Sequence, residues 1–374
     1  MTSGTSRPWA LPPLAGFTVA VTADHSRDEQ ALLLRQLGAS VVMGPCLSRT
    51  LDPDGRLREV TEDLVARPPD IVIVTTAGGL RSWLASAAAW GLEEALLKSL
   101  AAATVVARGH KASAGAQAAG LGVAWAAPST MAEVAQHLVG RVPAGARVAV
   151  DVAGDSITEA LAPLLERGAR VVGVPVYRWS MPSDIEPVRR VVEAVADRRL
   201  QGVTFTSAPA LRNFLDAAIA MGAATEVTAA FRGGVVAVCV GTVSAAAARD
   251  AGFSPRYDQA GRMGPMIRLL SDALVARRRV IDVGDATLTF QGGLALIGGR
   301  QVRLAPREAA FLELLGRRPG AVVPREKIVR EVWGRKKASP RAVDMLVGRL
   351  RRRLGPAGGA ITTRLRRGYA LDGV

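Results

Sequence analysis

Short apolar runs alternate with helical patterns along the first 275 residues, and this alternation constrains the fold of that region more than any other feature of the chain. The runs are rich in β-branched residues and apolar on both faces, whereas stretches between them, such as DEQALLLRQLG, are amphipathic at helical spacing. Apolar strands that alternate with helices are typical of parallel sheets covered on both sides, so we predict an α/β fold. The predicted strands are FTVAVT, SVVMG, DIVIVTT, ATVVA, ARVAVDV, ARVVGV, GVTFTS and VVAVCV.

A repeat divides this region into two related halves. The stretch TTAGGLRSWL at 75–84 aligns with TSAPALRNFL at 206–215, and GHKASAGAQAAGL at 109–121 aligns with GTVSAAAARDAGF at 241–253. The two offsets, 131 and 132 residues, agree to within one residue. We therefore predict two copies of one α/β unit, and a cleft between two such units is the usual place for a ligand.

In each copy a predicted strand ends on Thr or Ser, and a helix then begins on small residues. Backbone N–H groups and hydroxyls at helix starts can bind carboxylates or phosphates, although Ser and Thr are also ordinary helix caps. The recurrence of these turns in both halves favours binding, and Arg81 and Arg212 at equivalent positions are either ligand-facing or solvated charges. The candidate ligand-binding residues are Thr75, Thr76, Gly109, Lys111, Ser113, Thr206, Ser207, Gly241 and Thr242.

The order of these patterns resembles the uroporphyrinogen-III synthase family over residues 14–270. The matched stretches are LAGFTVAVTADHSRDEQALLLRQLGASVVMGPCL, the turns TSAPALRNFL and VGTVSAAAARDAGF, and LLERGARVVGVPVYRW. The resemblance implies two α/β domains joined by a two-stranded connection, with residues 14–45 and 180–270 in one domain and residues 50–175 in the other. We expect residues 1–13 to be a flexible N-terminus.

The resemblance also implies a chemistry. The family closes linear hydroxymethylbilane into uroporphyrinogen III with inversion of the last pyrrole, and it uses no metal or cofactor. By position Tyr177 would assist loss of the leaving hydroxyl, and Thr76, Ser207 and Thr242 would bind propionate and acetate groups. A simpler interpretation of Tyr177 is an aromatic residue that packs at a strand end. VTADHS stands where Thr-Arg-Pro usually follows the first strand, and TTAGG replaces the usual Thr-Ser-x-Asn turn, so turnover and binding without turnover both stay open.

Residues 277–374 carry nearly all of the net charge of the chain. They contain 22 Lys+Arg and 8 Asp+Glu, a net charge of +14 out of the total of +15, which leaves +1 for residues 1–276. Every residue from Arg349 to Arg353 except Leu350 is arginine. We expect a segment with this charge to bind a polyanion, of which nucleic acid is the commonest inside a cell.

The pattern of this basic segment also differs from that of the α/β region. Short strands, ATLTFQ and LALIGGRQVRL, are followed by three helical stretches, APREAAFLELLGRRPG, VPREKIVREVWG and SPRAVDMLVGRLRRRLG, and then by ITTRLRRGYAL, which is typical of a β-hairpin. In the last helix one apolar stripe is predicted to face the core, Ser339 is predicted to cap the start, and the arginines lie outside the stripe. The stripe consists of Val343, Leu346, Val347, Leu350 and Leu354.

This segment resembles the winged-helix DNA-binding domain of the response regulators that control osmotic and phosphate responses. The resemblance covers residues 281–372, so we assign 281–374 to a winged helix-turn-helix domain and 276–280 to a linker. It implies that the recognition helix enters the major groove and that a wing arginine reaches the minor groove. Base contacts are then expected from Arg341, Met345 and Arg349, phosphate contacts from Arg351 and Arg352, and wing contacts from Arg364, Arg366 and Arg367.

Residues that could hold a metal or form disulfides are few. Cys46 and Cys239 are far apart without a CxxC pair, and the chain has three histidines, so neither a disulfide framework nor a zinc site is indicated. No uncharged apolar run reaches the roughly 18 residues of a membrane span. We expect a cytoplasmic protein with no metal, cofactor or membrane partner, and its oligomeric state stays open.

The two resemblances together favour a transcriptional regulator that binds double-stranded DNA and uses the synthase-like region as a sensor for a tetrapyrrole or another small anion. The usual phosphoacceptor receiver is not indicated, because DIVIVTT ends in threonine where a receiver has aspartate. Such fusions resemble regulators of nitrate and nitrite assimilation, and uroporphyrinogen III is the precursor of sirohaem, the nitrite reductase cofactor. The alternative is an active uroporphyrinogen-III synthase that carries a DNA-binding domain.

Overall fold

The computed structural model describes residues 11–24, 26–52, 55–128, 130–153, 160–259, 261–283, 286–333 and 338–372. The chain forms two compact units, a flanking unit of Met1–Leu47 with Met181–Val374 and a central unit of Ser48–Ser180. The predicted domain boundaries at 45/50 and 175/180 lie within a few residues of this division. The first ten residues of the predicted flexible N-terminus lie outside the described residues.

The flanking unit contains a five-stranded parallel sheet in the order β11-β10-β9-β1-β2. Its strands carry the apolar runs of the sequence, and all four residues of Gly202–Phe205 are buried because helices cover the sheet. The strands are β1 (Thr18–Val21), β2 (Ser40–Met43), β9 (Gly202–Phe205), β10 (Val236–Val240) and β11 (Arg256–Asp258). The helices are α1 (Arg27–Gln36), α8 (Glu186–Ala196), α9 (Ala208–Ala220), α10 (Ala224–Gly233), α11 (Gly241–Asp250) and α12 (Met263–Val275).

The central unit contains a six-stranded sheet in the order β3-β8-β7-β4-β5-β6, parallel except for the antiparallel pair of β3 and β8. Ile71 and Ile73 pack on one face of the sheet and Val72 and Val74 on the other, which explains the continuous apolar run. The strands are β3 (Ser48–Leu51), β4 (Ile71–Val74), β5 (Thr104–Ala107), β6 (Val123–Ala126), β7 (Arg147–Ala153) and β8 (Arg170–Ser180). The helices are α2 (Leu57–Ala66), α3 (Ala77–Ala89), α4 (Glu93–Ala101), α5 (His110–Ala118), α6 (Met131–Val139) and α7 (Ala162–Glu166).

The predicted repeat is confirmed by the order and register of these elements. The β4–α3 and β5–α5 steps of the central unit correspond to the β9–α9 and β10–α11 steps of the flanking unit. Ile73 of β4 pairs with Val150 of β7, and the equivalent Thr204 of β9 pairs with Val21 of β1. The end of β7 in one half therefore corresponds to the end of β1 in the other.

The C-terminal part of the flanking unit is a winged helix, so the predicted fold class is confirmed. An antiparallel sheet is followed by three helices, a 3-10 turn at Gly355–Ala360 and a two-stranded hairpin. The strands are β12 (Arg279–Val283), β13 (Ala286–Gln291), β14 (Leu294–Ile297), β15 (Arg300–Arg303), β16 (Ile361–Arg364) and β17 (Gly368–Leu371). The helices are α13 (Pro306–Gly316), α14 (Arg325–Trp333) and α15 (Pro340–Leu354). The predicted apolar stripe of α15 is fully buried in one core with residues of α13 and α14.

Residues 276–280, predicted as a linker, are held in place. Helix α12 ends at Val275 and strand β12 begins at Arg279, and the Arg277 guanidinium lies 3.5 Å from the carboxylate of Glu313 in α13. The three arginines of this stretch are bound by distant acceptors: Arg277 by Glu313, Arg278 by Gln291 and Arg279 by the Gly316 carbonyl. The winged helix therefore packs directly on the α/β part of the flanking unit.

A salt bridge reinforces this packing. Arg198 Nη1, just after α8, lies 3.2 Å from Glu331 Oε2 of α14, and the two side chains are only 17% and 19% exposed. Arg317 also approaches Glu331, at 3.9 Å, and donates to the Gly233 carbonyl at 2.9 Å. Because Glu331 lies near the C-terminus of α14, it links the α/β part to the helix that precedes α15.

A double-mutant cycle should measure this link. We expect an interaction energy of about 1–2 kcal/mol between Arg198→Ala and Glu331→Ala in denaturant unfolding, because the two mostly buried charges are little screened by solvent. Arg317 stays near Glu331 when Arg198 is removed, which limits the energy to this range. The exposed Arg58–Glu62 pair, whose side chains are 60% and 51% exposed, is the control and should give about 0.3–0.5 kcal/mol. Equal energies for the two pairs would show that the link contributes no more than a surface pair.

Within the described residues, no helix is long and apolar enough to cross a membrane. The same residues include no group of three His, Cys, Asp or Glu side chains placed to hold a metal ion. Cys46 and Cys239 are free, buried thiols, and burial raises the pKa of each to about 12.

Candidate functional site

Helix α15 presents one outward stripe. Arg341, Met345 and Arg352 are exposed and recur at helical spacing with Gly348, opposite the buried stripe. Met345 is 62% exposed, which is unusual for a large apolar side chain on a helix with a well-filled core. Ser339 occupies the N-cap position as predicted, but its side chain makes no capping hydrogen bond. The stripe suits contact with DNA, because two of its exposed side chains, Arg341 and Arg352, are cationic.

Arg349 is exposed on one flank of this stripe. It lies beside Leu346 and Arg353 and lines a groove of about 700 Å³, whose other wall includes Glu193 and Asp197 of the α/β part. Among the described residues, no acidic group pairs with Arg349. In contrast, Arg353 forms a salt bridge of 3.1 Å with the buried Glu308.

Arg351 lies on the opposite flank, and its guanidinium is used inside the domain. Its Nε donates to the Ile361 carbonyl at 2.9 Å, and its Nη2 donates to the same carbonyl and to Thr363 Oγ1 at 3.0 Å. Arg351 thus holds the start of the wing hairpin, and its expected phosphate contact stays a prediction. The helical spacing predicted that Arg351 lies outside the core. It gave no information about the hydrogen-bond acceptors of the wing, which begin ten residues later at Ile361.

The wing arginines differ in their environments. Arg364 forms a salt bridge of 2.8 Å with Asp372, whereas Arg366 and Arg367 are exposed at the hairpin turn. Arg366 adopts a left-handed φ of 55°, and Leu365 is 83% exposed beside it. Arg366 and Arg367 are therefore exposed at the tip of the wing, and their contact with DNA stays a prediction.

Asp344 joins α15 to the wing and to α14. Tyr369 of β17 donates a hydrogen bond to Asp344, and Arg325 lies 2.8 Å from the same carboxylate and over the Tyr369 ring. The hydrogen bonds from Tyr369 and Arg325 hold the pKa of Asp344 below its ordinary value. Sequence analysis did not identify this cluster, which fixes the outward stripe relative to the wing.

In the central unit, the candidate ligand residues gather at the carboxyl ends of parallel strands, where ligands of α/β proteins usually bind. Thr75 and Thr76 follow β4, and Tyr177 lies near the end of β8. Thr76 is the N-cap of α3, and its Oγ1 accepts from the Gly79 amide at 2.9 Å. The hydroxyls of Thr76 and Tyr177 are hydrogen-bonded at 3.3 Å. The sequence-predicted Tyr177 and Thr76 are therefore direct neighbours.

Two charged residues that sequence analysis missed belong to this cluster. The Arg49 guanidinium lies 5.2 Å from the centre of the Tyr177 ring. The Asp151 carboxylate accepts from the amide of Thr75 and, at 3.4 Å, from that of Thr76. Burial raises the pKa of Asp151 to about 7, whereas these hydrogen bonds and the charge of Arg108 act to lower it. The only sequence signal was an aspartate within the apolar run ARVAVDV.

The second turn of the central unit begins α5. Gly109 has a φ of 92°, which favours glycine, and it is buried, while Lys111 is exposed and Ser113 is half-buried. A methyl group at Gly115 would lie 2.4 Å from the Ala77 side chain, so α5 packs closely against the start of α3. The structure therefore places the 75–79 and 109–113 turns side by side.

The flanking unit has the two equivalent turns. Ser207 is the N-cap of α9 and accepts from the Ala210 amide at 3.3 Å, and Thr206 is half-buried beside it. Gly241 begins α11 with a φ of 77°, and Thr242 is exposed. Thr76 and Ser207 thus act as helix caps. This is compatible with turns that only cap a helix and with turns that also bind a ligand carboxylate or phosphate.

Comparisons with known proteins agree with this architecture. A family model described as uroporphyrinogen-III synthase HemD matches residues 28–267, and one described as transcriptional regulatory protein, C terminal, matches residues 299–371. The uncharacterized protein YjjA of Bacillus subtilis (strain 168) is 26% identical over 256 residues, which cover 68% of this chain and 94% of that protein.

Among solved structures, a mutant uroporphyrinogen III synthase from the extremely thermophilic bacterium Thermus thermophilus matches with a TM-score of 0.55 at 26% identity, over 69% of this chain and 98% of that chain. The DNA-binding domain of CpxR from Escherichia coli matches at 31% identity and a TM-score of 0.22, over 25% of this chain and 97% of that chain.

Proposed function

Because the chain belongs to the uroporphyrinogen-III synthase family through residues 28–267 and ends in a winged-helix DNA-binding domain, we propose that it is a transcriptional regulator whose synthase-like region senses a ligand. The observation that carries this proposal is the outward stripe of α15, in which Arg341, Met345 and Arg352 are exposed on a domain of charge +14. A basic, exposed helix in a winged-helix domain suits the major groove of double-stranded DNA.

The ligand we propose is a tetrapyrrole with carboxylate substituents, such as uroporphyrinogen III. Within the central unit, Arg49, Tyr177 and the turn at Gly109 supply the cation, hydroxyl and N–H groups that such substituents require. The resemblance to regulators of nitrate and nitrite assimilation supports genes of that pathway as targets, because sirohaem derives from uroporphyrinogen III.

Sensing requires that ligand and DNA affect each other through the protein. In the flanking unit the Arg198–Glu331 and Arg277–Glu313 pairs connect the α/β part to the winged helix. A ligand that favours one arrangement of these parts would change DNA affinity, and DNA would change ligand affinity by the same factor.

Titration calorimetry with uroporphyrinogen III, with and without DNA that the protein selects from a random pool, tests the proposal. We expect a coupling factor of about 5–150 in both directions. If the protein bound DNA but not uroporphyrinogen III, the proposal of a DNA-binding regulator would stand and the proposal of a tetrapyrrole sensor would be refuted. Failure to bind DNA at low salt would refute the regulator.

A second candidate function is supported by the hydrogen bond between Tyr177 and Thr76, with Arg49 over the tyrosine ring. This arrangement suits a tyrosine that assists loss of the hydroxyl of hydroxymethylbilane. Uroporphyrinogen III formation by the full chain that is lost in Tyr177→Phe would establish an active synthase.

A further inference from the structure

The environment of the Asp151 carboxylate affects which ligand substituents the central unit can bind. The carboxylate is 4% exposed, and within the described parts of the chain no ion pair satisfies it. A buried carboxylate is costly unless hydrogen bonds compensate it, and here the donors are the amides of Thr75 and of the N-cap residue Thr76, directly before α3. Converging amides at a helix start are an anion site, and the chain fills this one with its own carboxylate.

We infer that Asp151 sets the ligand specificity of the central unit by occupying the amides of Thr75 and Thr76, so that this corner excludes a ligand carboxylate and accepts an uncharged substituent. The inference rests on the proposed function, since it concerns the same ligand. It makes Asp151 a residue that separates this chain from an enzyme that binds every carboxylate of hydroxymethylbilane.

Two physical effects produce the exclusion. The amides of Thr75 and Thr76 are already bonded to the Asp151 carboxylate, one to each oxygen, so they are not free to bind a ligand carboxylate. When Asp151 is ionised, a ligand carboxylate next to it would also meet a like charge at low solvent exposure.

The backbone of α3 is shaped around this carboxylate. A methyl group at Gly79 would lie 2.6 Å from Asp151 Oδ2 and 2.8 Å from Thr76 Oγ1, so the first turn of α3 has space for the carboxylate only because residue 79 is glycine. Thr75 Oγ1 also donates to the Asp151 carbonyl at 3.0 Å, which holds the strand end beside the turn.

The other half of the repeat shows what stands at the position equivalent to Asp151. By the register of the two sheets, Thr22, directly after β1, is the counterpart of Asp151 in β7. Thr22 is fully buried, and its hydroxyl donates to the Thr204 carbonyl at 2.7 Å, so the corresponding turn at Ser207 has no internal carboxylate. The carboxylate is thus a feature of one half and not of the repeated unit.

The decisive variant is Asp151→Thr in the full chain, because it copies the residue of the other half. Propionate, the simplest carboxylate of the proposed ligand class, is titrated above pH 7 into protein labelled with 15N-threonine, and the amide resonances of Thr75 and Thr76 are followed. We expect a saturable shift in Asp151→Thr with an affinity at least about tenfold above that of wild type, which corresponds to the loss of one like-charge interaction. Asp70→Asn is the matched control: it removes a carboxylate at the opposite end of β4, where Asp70 accepts from the Arg147 amide, and should behave as wild type.

If Asp151→Thr does not fold, Asp151→Asn serves instead, and we expect the shift at Thr76, whose bond to the carboxylate is the longer one. Equal propionate responses in wild type and the Asp151 variant, or no response in either, would overturn the inference. This readout needs neither tetrapyrrole nor DNA, so its failure is distinct from a failure of the proposed function, which the calorimetric coupling decides.

Discussion

Replacing Arg349 by alanine should weaken binding to the selected DNA site by about 1–3 kcal/mol and relax its sequence preference, if Arg349 makes a bidentate base contact. Arg349 is exposed and has no acidic partner in the described chain, so the loss comes from DNA contacts and not from folding. Arg352→Ala, in the outward stripe, should weaken selected and random DNA by the same factor, because a phosphate contact does not depend on sequence.

Fluorescence anisotropy over a range of salt concentrations separates these roles. Loss of one phosphate contact should reduce the slope of log affinity against log salt by about 0.9. Arg58→Ala removes an exposed arginine of the central unit and should change neither affinity nor slope. If Arg349→Ala lost the same affinity for selected and for random DNA, Arg349 would contact phosphate and not a base. If neither variant lost affinity, α15 would not be part of the DNA interface.

Asp151 should make the free energy of unfolding depend on pH in the direction opposite to most acids. Burial raises its pKa from 3.8 to about 7, so between these values the folded protein binds more protons than the unfolded chain. Stability from this group is complete below pH 4 and falls as pH rises to 7, by an amount on the order of 4 kcal/mol at most. The groups that face the carboxyl, the amides of Thr75 and Thr76 and the charge of Arg108, favour the ionised form, and the pKa of about 7 already includes their effect.

Denaturant unfolding of wild type and Asp151→Asn from pH 4 to pH 8 measures this dependence. The variant should gain stability relative to wild type as pH rises, because its amide keeps an acceptor for the Thr75 N–H group and never ionises. Asp344, whose pKa is lowered, acts in the opposite direction at low pH and is common to both proteins, so it cancels in the difference. A difference between the two proteins that stays constant over this range would show that Asp151 is ionised throughout.

Most of the fold could be predicted from the sequence because the patterns that encode it are local. Continuous apolar runs indicated the parallel strands, the period of 3.6 residues indicated the α15 stripe, and the repeat offset indicated two related halves. These patterns depend on neighbours a few residues away, and burial followed them closely: Leu350, in the middle of an arginine cluster, is fully buried.

The sites were only partly predictable, since a charged side chain is defined by its partner. Arg349 and Arg351 look alike in the sequence, but one faces a groove and the other donates to Ile361. Asp151 is hydrogen-bonded to Thr75, which is 76 positions away in the sequence, and Glu331 is hydrogen-bonded to Arg198, which is 133 positions away. The sequence by itself determined which faces are buried and where the positive charge lies, because hydrophobic periodicity and charge are properties of the chain. Only the tertiary structure decided which arginines and amides stay available for a ligand or DNA, because hydrogen bonds require distant atoms to meet within about 3 Å.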